Sequence, residues 1–372
     1  MQSADIKTPM ISSTVANCPS TLKTRGGLRD DPCNLCPRLC GAAREHGFAG
    51  VCGADDTLRV ARAALHFWEE PPLSGTAGSG AVFFAGCPLH CVYCQNAIIA
   101  EGGQRGVAIN VQRLAQIFLE LQGKGALNIN CVTPTHYSLR IREAVRLARE
   151  QGLSLPIVWN TSSYERVQVV HELADTVDIY LADFKYADAR LAKAYSRAGD
   201  YADVALRALD AMVTATGSPQ FDEYHGEMRM TRGVIVRHLL LPGCLDDSKR
   251  VVRLLHEHYG DEIMLSIMNQ YTPVLATAAA AGDEHARKQL ALHPELARVV
   301  SDDEYEQLLD YADSLGIEDY FWQEGAAAKE SFVPAWDGEG VLPVDHETSG
   351  RVKESVDVAG SASADAASGS EV

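Results

Sequence analysis

The sequence predicts an α/β fold: an open, partial (β/α)6 TIM-like barrel with a cysteine-rich metal-binding segment in front of it. Three observations carry this. Short apolar runs alternate with amphipathic helical stretches between about residues 80 and 315, the pattern of βαβ units on a parallel sheet. Six such runs are present, two fewer than a closed eight-stranded barrel requires. Seven of the ten cysteines fall in two tight groups, Cys33, Cys36, Cys40 and Cys52, then Cys87, Cys91 and Cys94.

The strands are expected at "GAVFFAG" (80–86), "LNINCVTP" (127–134), "LPIVWNTS" (155–162), "VDIYLADFKY" (177–186), "TRGVIVRHLLLPG" (231–243) and "EIMLSIMNQY" (262–271). Helices are expected between them at 111–125, 139–152, 164–175, in segments up to about 216, and at "DDSKRVVRLLHEHYG"; helices then dominate to about 315. In such folds the site lies at the C-terminal ends of the strands. Polar residues gather there in "CVTPTHY", "WNTSSYE", "ADFKY", "VRHLLLPG" and "NQYTP".

The chain divides into a lead (1–30), a Cys-rich segment (31–75), the barrel (76–322), an extension packing on it (323–343) and an acidic tail (344–372). Lead and tail are too polar to order themselves. With 372 residues and 46% apolar content there is enough chain for a sizeable core. A net charge of -17 argues against a nucleic-acid backbone binder and against a basic face. The lead lacks a secretory apolar stretch, and no run approaches the ~18 apolar residues of a membrane span. Clustered rather than scattered cysteines point to metal ligation in a reduced, cytoplasmic setting. The isolated Cys18, Cys131 and Cys244 read as small buried hydrophobes.

"GCPLHCVYCQN" places Cys87, Cys91 and Cys94 at x3 and x2 spacing on a Gly/Pro-punctuated loop after the first expected strand. Structural zinc takes four closed ligands, and a [4Fe–4S] cluster takes one thiolate per iron. Three cysteines leave one iron open.

That spacing, with Tyr93 before the last cysteine, resembles the motif of the radical S-adenosylmethionine (SAM) superfamily. The longer stretches "ALHFWEEPPLSGTAGSGAVFFAGCPLHCVYCQN", "NINCVTPTHY", "VWNTSSYE", "YLADFKY", "VIVRHLLLPG", "IMNQYTP" and "SFVPAWDGEGV" resemble the pyruvate formate-lyase activating enzyme-like subgroup over roughly residues 30–341. The resemblance implies a radical SAM partial barrel and a [4Fe–4S] cluster on Cys87, Cys91 and Cys94. It implies SAM on the open iron and reductive cleavage to a 5'-deoxyadenosyl radical. It further implies hydrogen abstraction from a glycine Cα of a partner glycyl radical enzyme, and an electron donor such as flavodoxin or ferredoxin. One departure stands out. Activating enzymes carry a Gly-Gly-Glu-type stretch at the second strand to hold the amino group of SAM, and this chain has "VTPTH". Thr133, Thr135 and His136 are the candidates for that role.

Asn160 and Ser162 are candidates for the ribose or methionine part of the cofactor. Asp183 and Lys185 share a side of the fourth strand, and the resemblance places such a pair near SAM. Arg237 needs a carboxylate partner in its apolar strand, from the cofactor or from a nearby aspartate. His238, on the opposite side, reads as a core histidine, and Asn269 and Gln270 are weaker candidates to face substrate. Cys33, Cys36, Cys40 and Cys52 form a second set of four, fitting a zinc site, the preferred reading, or a second iron–sulfur cluster. Two other functions stay open: radical chemistry on a small molecule, peptide or nucleic acid, and a non-catalytic zinc-binding interaction module.

Overall fold

The computed structural model describes residues 28, 31–102, 105–224, 226–323 and 334–343. The expected lead and tail lie outside these residues, apart from Leu28.

A cysteine knuckle at 33–52 precedes β1 (Arg59–His66) and a one-turn helix, α1 (Pro71–Ser74). The chain then enters β2 (Ser79–Phe84), α2 (Ala97–Ala100), the two-residue β3 (Val107–Ala108) and α3 (Val111–Gly123). The βα units follow as β4 (Ile129–Val132), α4 (Ser138–Glu150), β5 (Ile157–Thr161), α5 (Val167–Glu172) and β6 (Ile179–Asp183). Next come α6 (Ala189–Ser196), α7 (Tyr201–Thr216), the hairpin of β7 (Gln220–Tyr224) with β8 (Glu227–Leu239), and α8 (Leu245–Tyr259). The chain continues through β9 (Met264–Met268), α9 (Val274–Ala280), α10 (Glu284–Leu292), α11 (Asp302–Ser314) and β10 (Tyr320–Phe321).

One sheet runs β10-β9-β8-β6-β5-β4-β2-β1-β3. From β2 to β10 the pairs on this path are parallel, while β1 is antiparallel to both β2 and β3. The sheet is therefore an open, partial barrel, as the strand count requires. All six expected strands form; four are trimmed at both ends, while β2 starts one residue and β8 four residues earlier than expected, each ending sooner. β1, β3, β7 and β10 were not expected. β10 adds a short seventh parallel strand, and β7 replaces loop after α7. The helix expected at 164–175 shortens to α5, because Tyr164 and Glu165 are held by side-chain bonds to Asp200 and to Thr135, Trp159 and Thr161.

β2, β4 and β5 are buried along their full length, as strands covered on both faces are. Outside, α3 buries Leu114, Ile117, Phe118 and Leu121, and Asn110 caps it by accepting from the Arg113 amide. Inside, period-two alternation sets a level at which chemistry changes. Val158, Ile179, Leu181 and Ile235 form an apolar layer, closed from below by Leu73 of α1 and joined by Met264. Two residues further along the same strands stand Asn160, Asp183, Arg237 and Ser266, with Asn130 beside them on β4. The register pairs Asp183 with Arg237 and Arg237 with Ser266. Leu73 is fully buried, and truncating it to alanine opens a void costing about 2–5 kcal/mol.

Residues 334–343 lie along β1: the amides of Ala63 and Gly338 donate to Glu339 and Ala61, and Arg113 donates to the Val341 carbonyl. The extension was expected over 323–343, of which residues 324–333 lie outside the described ones.

Candidate functional site

A cavity of about 380 Å³ opens above the polar layer. The loop after β2 brings Cys87, Cys91 and Cys94 to its wall. Gly86 starts that loop at φ 98°, where a Cβ would stand 2.9 Å from the Cys52 carbonyl and 3.0 Å from His136 Nε2. Only glycine serves there. The Cys87 amide donates to the Cys52 carbonyl (3.0 Å), so the knuckle backs the loop directly. Burial and the neighbouring Cys91 push the Cys87 thiol up to about 11, and burial raises Cys94 as well. Without a metal the Cys87 and Cys94 thiols stay protonated.

Tyr93 is buried among Tyr186, Tyr195 and Tyr271 and lines the cavity. A chain of hydroxyls runs from it to a cysteine. Tyr186 donates to Tyr93 (2.7 Å) and lies 2.7 Å from the Ser196 hydroxyl, which donates to Cys91 Sγ at 2.9 Å.

The charged residues pair on the cavity floor. Arg237 donates through Nε to Asp183 (2.9 Å), through Nη1 to Glu69 (3.1 Å) and through Nη2 to Asn160 (2.7 Å). Lys185 Nζ donates to Asp183 at 2.9 Å. Burial would raise the Asp183 carboxyl, but Lys185 and Arg237 outweigh it and hold it below the usual range. Burial disfavours the Lys185 cation, yet Asp183 and the nearby Cys91 keep it charged. The nearby aspartate expected for Arg237 is thus Asp183, joined by a glutamate that the strand-end reading does not reach. Glu69 comes from the turn between β1 and α1 and also accepts from Asn130 (2.9 Å). Its neighbour Glu70 lines the cavity too. The signal in the sequence is "FWEEPP", an acidic pair locked ahead of two prolines.

Thr133, Thr135, Asn160 and Ser162 all line the cavity. Thr133 sits in left-handed backbone (φ 57°), unusual for a β-branched residue, with its amide held by the Asn160 carbonyl. Of the residues expected to hold an amino group, Thr135 donates its hydroxyl to Glu165 (2.6 Å), and its oxygen can still accept. His136 is not among the cavity-lining residues: its Nε2 pairs with the Ala85 carbonyl (2.7 Å), and burial lowers it to about 3, so it is a neutral brace. His238 is a buried histidine bonded to the Phe184 carbonyl (2.7 Å). Gln270 lines the cavity, whereas Asn269 does not.

In the knuckle, Cys33, Cys36 and Cys52 are buried and Cys40 is exposed, all as free thiols. Burial raises Cys36 to about 12, with Cys52 and Cys33 adding to it. Arg38 fastens the knuckle to the barrel through the carbonyls of Pro88 (2.8 Å), Arg197 (2.6 Å) and Ser196 (2.9 Å). Among the described residues, no three Cys, His, Asp or Glu side chains are arranged to hold one metal ion. A Cβ at Gly50 would stand 3.2 Å from Cys40 Sγ and 3.5 Å from Cys52 Sγ, so two of the knuckle's sulfurs face the same glycine. A four-iron cluster asks something else of Cys87, Cys91 and Cys94. Each thiolate binds a different iron, and three soft donors facing one cavity fit that group. Among the described residues no helix is long and apolar enough to cross a membrane.

Over 295 residues, 77% of this chain and 75% of the relative, the chain is 25% identical to an uncharacterized protein of Methanocaldococcus jannaschii. Among solved structures, Streptococcus suis SuiB bound to precursor peptide SuiA is similar at TM-score 0.43 and 14% identity, over 64% of this chain and 46% of that one. SuiB bound to S-adenosylmethionine gives 0.39 and 14%, over 64% and 45%. These matches span less than half the length of the SuiB chains. Residues 81–223, which hold the three-thiol loop and the strands from β2 to β6, match the Radical SAM superfamily model.

Proposed function

We propose that this chain is a radical SAM enzyme that holds a [4Fe–4S] cluster on Cys87, Cys91 and Cys94 and binds SAM beside it. Together the two groups supply one-electron reductive cleavage of a sulfonium, giving a 5'-deoxyadenosyl radical. The observation that carries the proposal is the placement of three free thiols on one loop, at the C-terminal end of the first parallel strand, facing a cavity with paired charges on its floor.

The chain's own residues have separable tasks. Lys185 sets a cation near the thiols, suited to a carboxylate. Asp183 and Arg237 fix Lys185 and Asn160 in place. Asn160, Ser162 and Thr133 offer polar contacts for a ribose or an amino acid, and Tyr93 stiffens the loop from behind. Half-exposed Trp68 and Trp322 line the cavity and limit water.

For the hydrogen donor we propose a glycine Cα of a partner glycyl radical enzyme, with flavodoxin or ferredoxin as reductant; this rests on the motif resemblance. The knuckle is proposed as a second metal site, for zinc or for a second iron–sulfur cluster, because Cys33, Cys36, Cys40 and Cys52 feel one another's charge. The test is low-temperature EPR on anaerobically reconstituted, reduced protein with and without SAM. A [4Fe–4S] signal that changes shape on adding SAM is expected. A signal indifferent to SAM, or no cluster, would return the chain to a non-catalytic metal-binding role.

A further inference from the structure

The cavity floor carries one more carboxyl group than it has cations. Its charged lining residues are Glu69, Glu70 and Asp183 against Lys185 and Arg237. Both cations are already committed. Arg237 donates to Asp183, Glu69 and Asn160, and Lys185 donates to Asp183. Glu69 has donors on both oxygens. Glu70 is different. It is 8% exposed, and its Oε2 is buried with no hydrogen-bond partner among the described residues. Asn130 Oδ1, on the residue that donates to Glu69, is likewise buried without a donor. Buried acceptors without donors are rare and costly, so Glu70 Oε2, on a residue that lines the cavity, marks where a donor belongs.

The depth of Glu70 separates it from the thiol loop. It sits in the turn before α1, beside Ser266 of β9, whose side chain favours its ionised form; Oε2 is the oxygen left without a partner. The thiols and Lys185 stand beyond the strand ends. A cofactor held by the thiol loop and Lys185 would leave Glu70 free for another group.

The geometry points to a recognition site for a positively charged nitrogen, in which Glu70 receives an ammonium or guanidinium group of the molecule that gives up its hydrogen. This rests on the radical reading above and narrows its substrate to one carrying a cation; in a protein target that group is a lysine or arginine near the reacting carbon. Burial pushes the Glu70 carboxyl toward its protonated form in the empty cavity, and an arriving cation supplies the charge that reverses this.

The test uses cluster-reconstituted, SAM-saturated protein, with n-butylammonium chloride as probe and n-butanol as its neutral counterpart. Quenching of tryptophan fluorescence reads occupancy, since Trp68 and Trp322 line the cavity. Saturable binding of butylammonium but not butanol is expected. Glu70→Gln should weaken it about tenfold or more, as loss of a charge-assisted hydrogen bond does, with the EPR response to SAM intact. Equal binding of both probes, or binding unchanged in Glu70→Gln, would overturn the site. So would potassium displacing the amine at equal concentration, which would make it a metal-cation site. A SAM response lost in Glu70→Gln, with the unfolding transition unchanged, would reassign Glu70 to the cofactor. A wild-type cluster indifferent to SAM, with amine binding as expected, would sink the radical reading and leave the cation site standing.

Discussion

Replacing Arg237 by methionine should destabilise the protein strongly, and in a pH-dependent way. The guanidinium is 15% exposed and faces Glu69, at 7%, and Asp183, at 21%. Asp183 keeps Lys185 as a partner; Glu69 keeps only the amides of Asn130 and Asn160. Stranding a buried carboxylate costs about 3–5 kcal/mol. The chain can instead protonate it, which for an ordinary glutamate at ~4.3 costs about 3.7 kcal/mol at pH 7, at ~1.36 kcal/mol per unit. The loss at pH 7 is therefore capped near 3.7 kcal/mol, and at pH 5 it shrinks to about 1 kcal/mol by the same arithmetic. Urea unfolding of wild type and Arg237→Met at both pH values measures it. Adding Glu69→Gln to the variant should recover about 2 kcal/mol at pH 7 by removing the stranded charge. A loss below 1 kcal/mol at pH 7, or one that does not change with pH, would refute the view that this charge network is buried and interdependent.

Ser196→Ala removes the hydroxyl bonded to Cys91 Sγ. A bond worth ~0.5–1.5 kcal/mol more to the reduced cluster corresponds to about 20–60 mV, so an EPR-monitored redox titration should show the midpoint falling by that amount; a rise would contradict it. Cys94→Ala should lower bound iron and sulfide while leaving the unfolding transition within about 1 kcal/mol, whereas collapse of the fold would favour a structural metal. Buried His136 and His238 are lowered to about 3 and about 4. The unfolded state therefore binds more protons below pH ~6.5, and stability should fall by about 2 kcal/mol per histidine between pH 6.5 and 5; a flat profile would count against their burial.

The parallel strands were legible because each is a short apolar run followed by a helical period, and neither signal depends on distant contacts. The three-thiol loop was legible for the same local reason. Asp183, Lys185 and Arg237 were found as polar residues at strand ends. Glu69 and Glu70 were not, because "EEPP" reads locally as a solvated turn. Their burial arises only when that turn folds under strands 60 to 168 residues away in sequence, as the bond from Arg237 shows. His136 misled for the converse reason. It stands at a strand end, yet the Ala85 carbonyl captures it, and no local pattern announces that partner. β1 was missed because "RVARAALH" alternates charge with small residues and looks as much like helix as strand.

The bond between the Cys87 amide and the Cys52 carbonyl bears on how this chain can be divided. The knuckle is no detachable appendage. It forms the back wall of the loop that carries the three thiols, with Gly86 pressed against it and Arg38 riveted across to Pro88. A version of the chain starting at Arg59 would retain every residue of the cavity floor and still lose the surface against which the loop takes its shape. Modularity ends at that contact: a graft of this barrel onto another protein has to carry its knuckle with it.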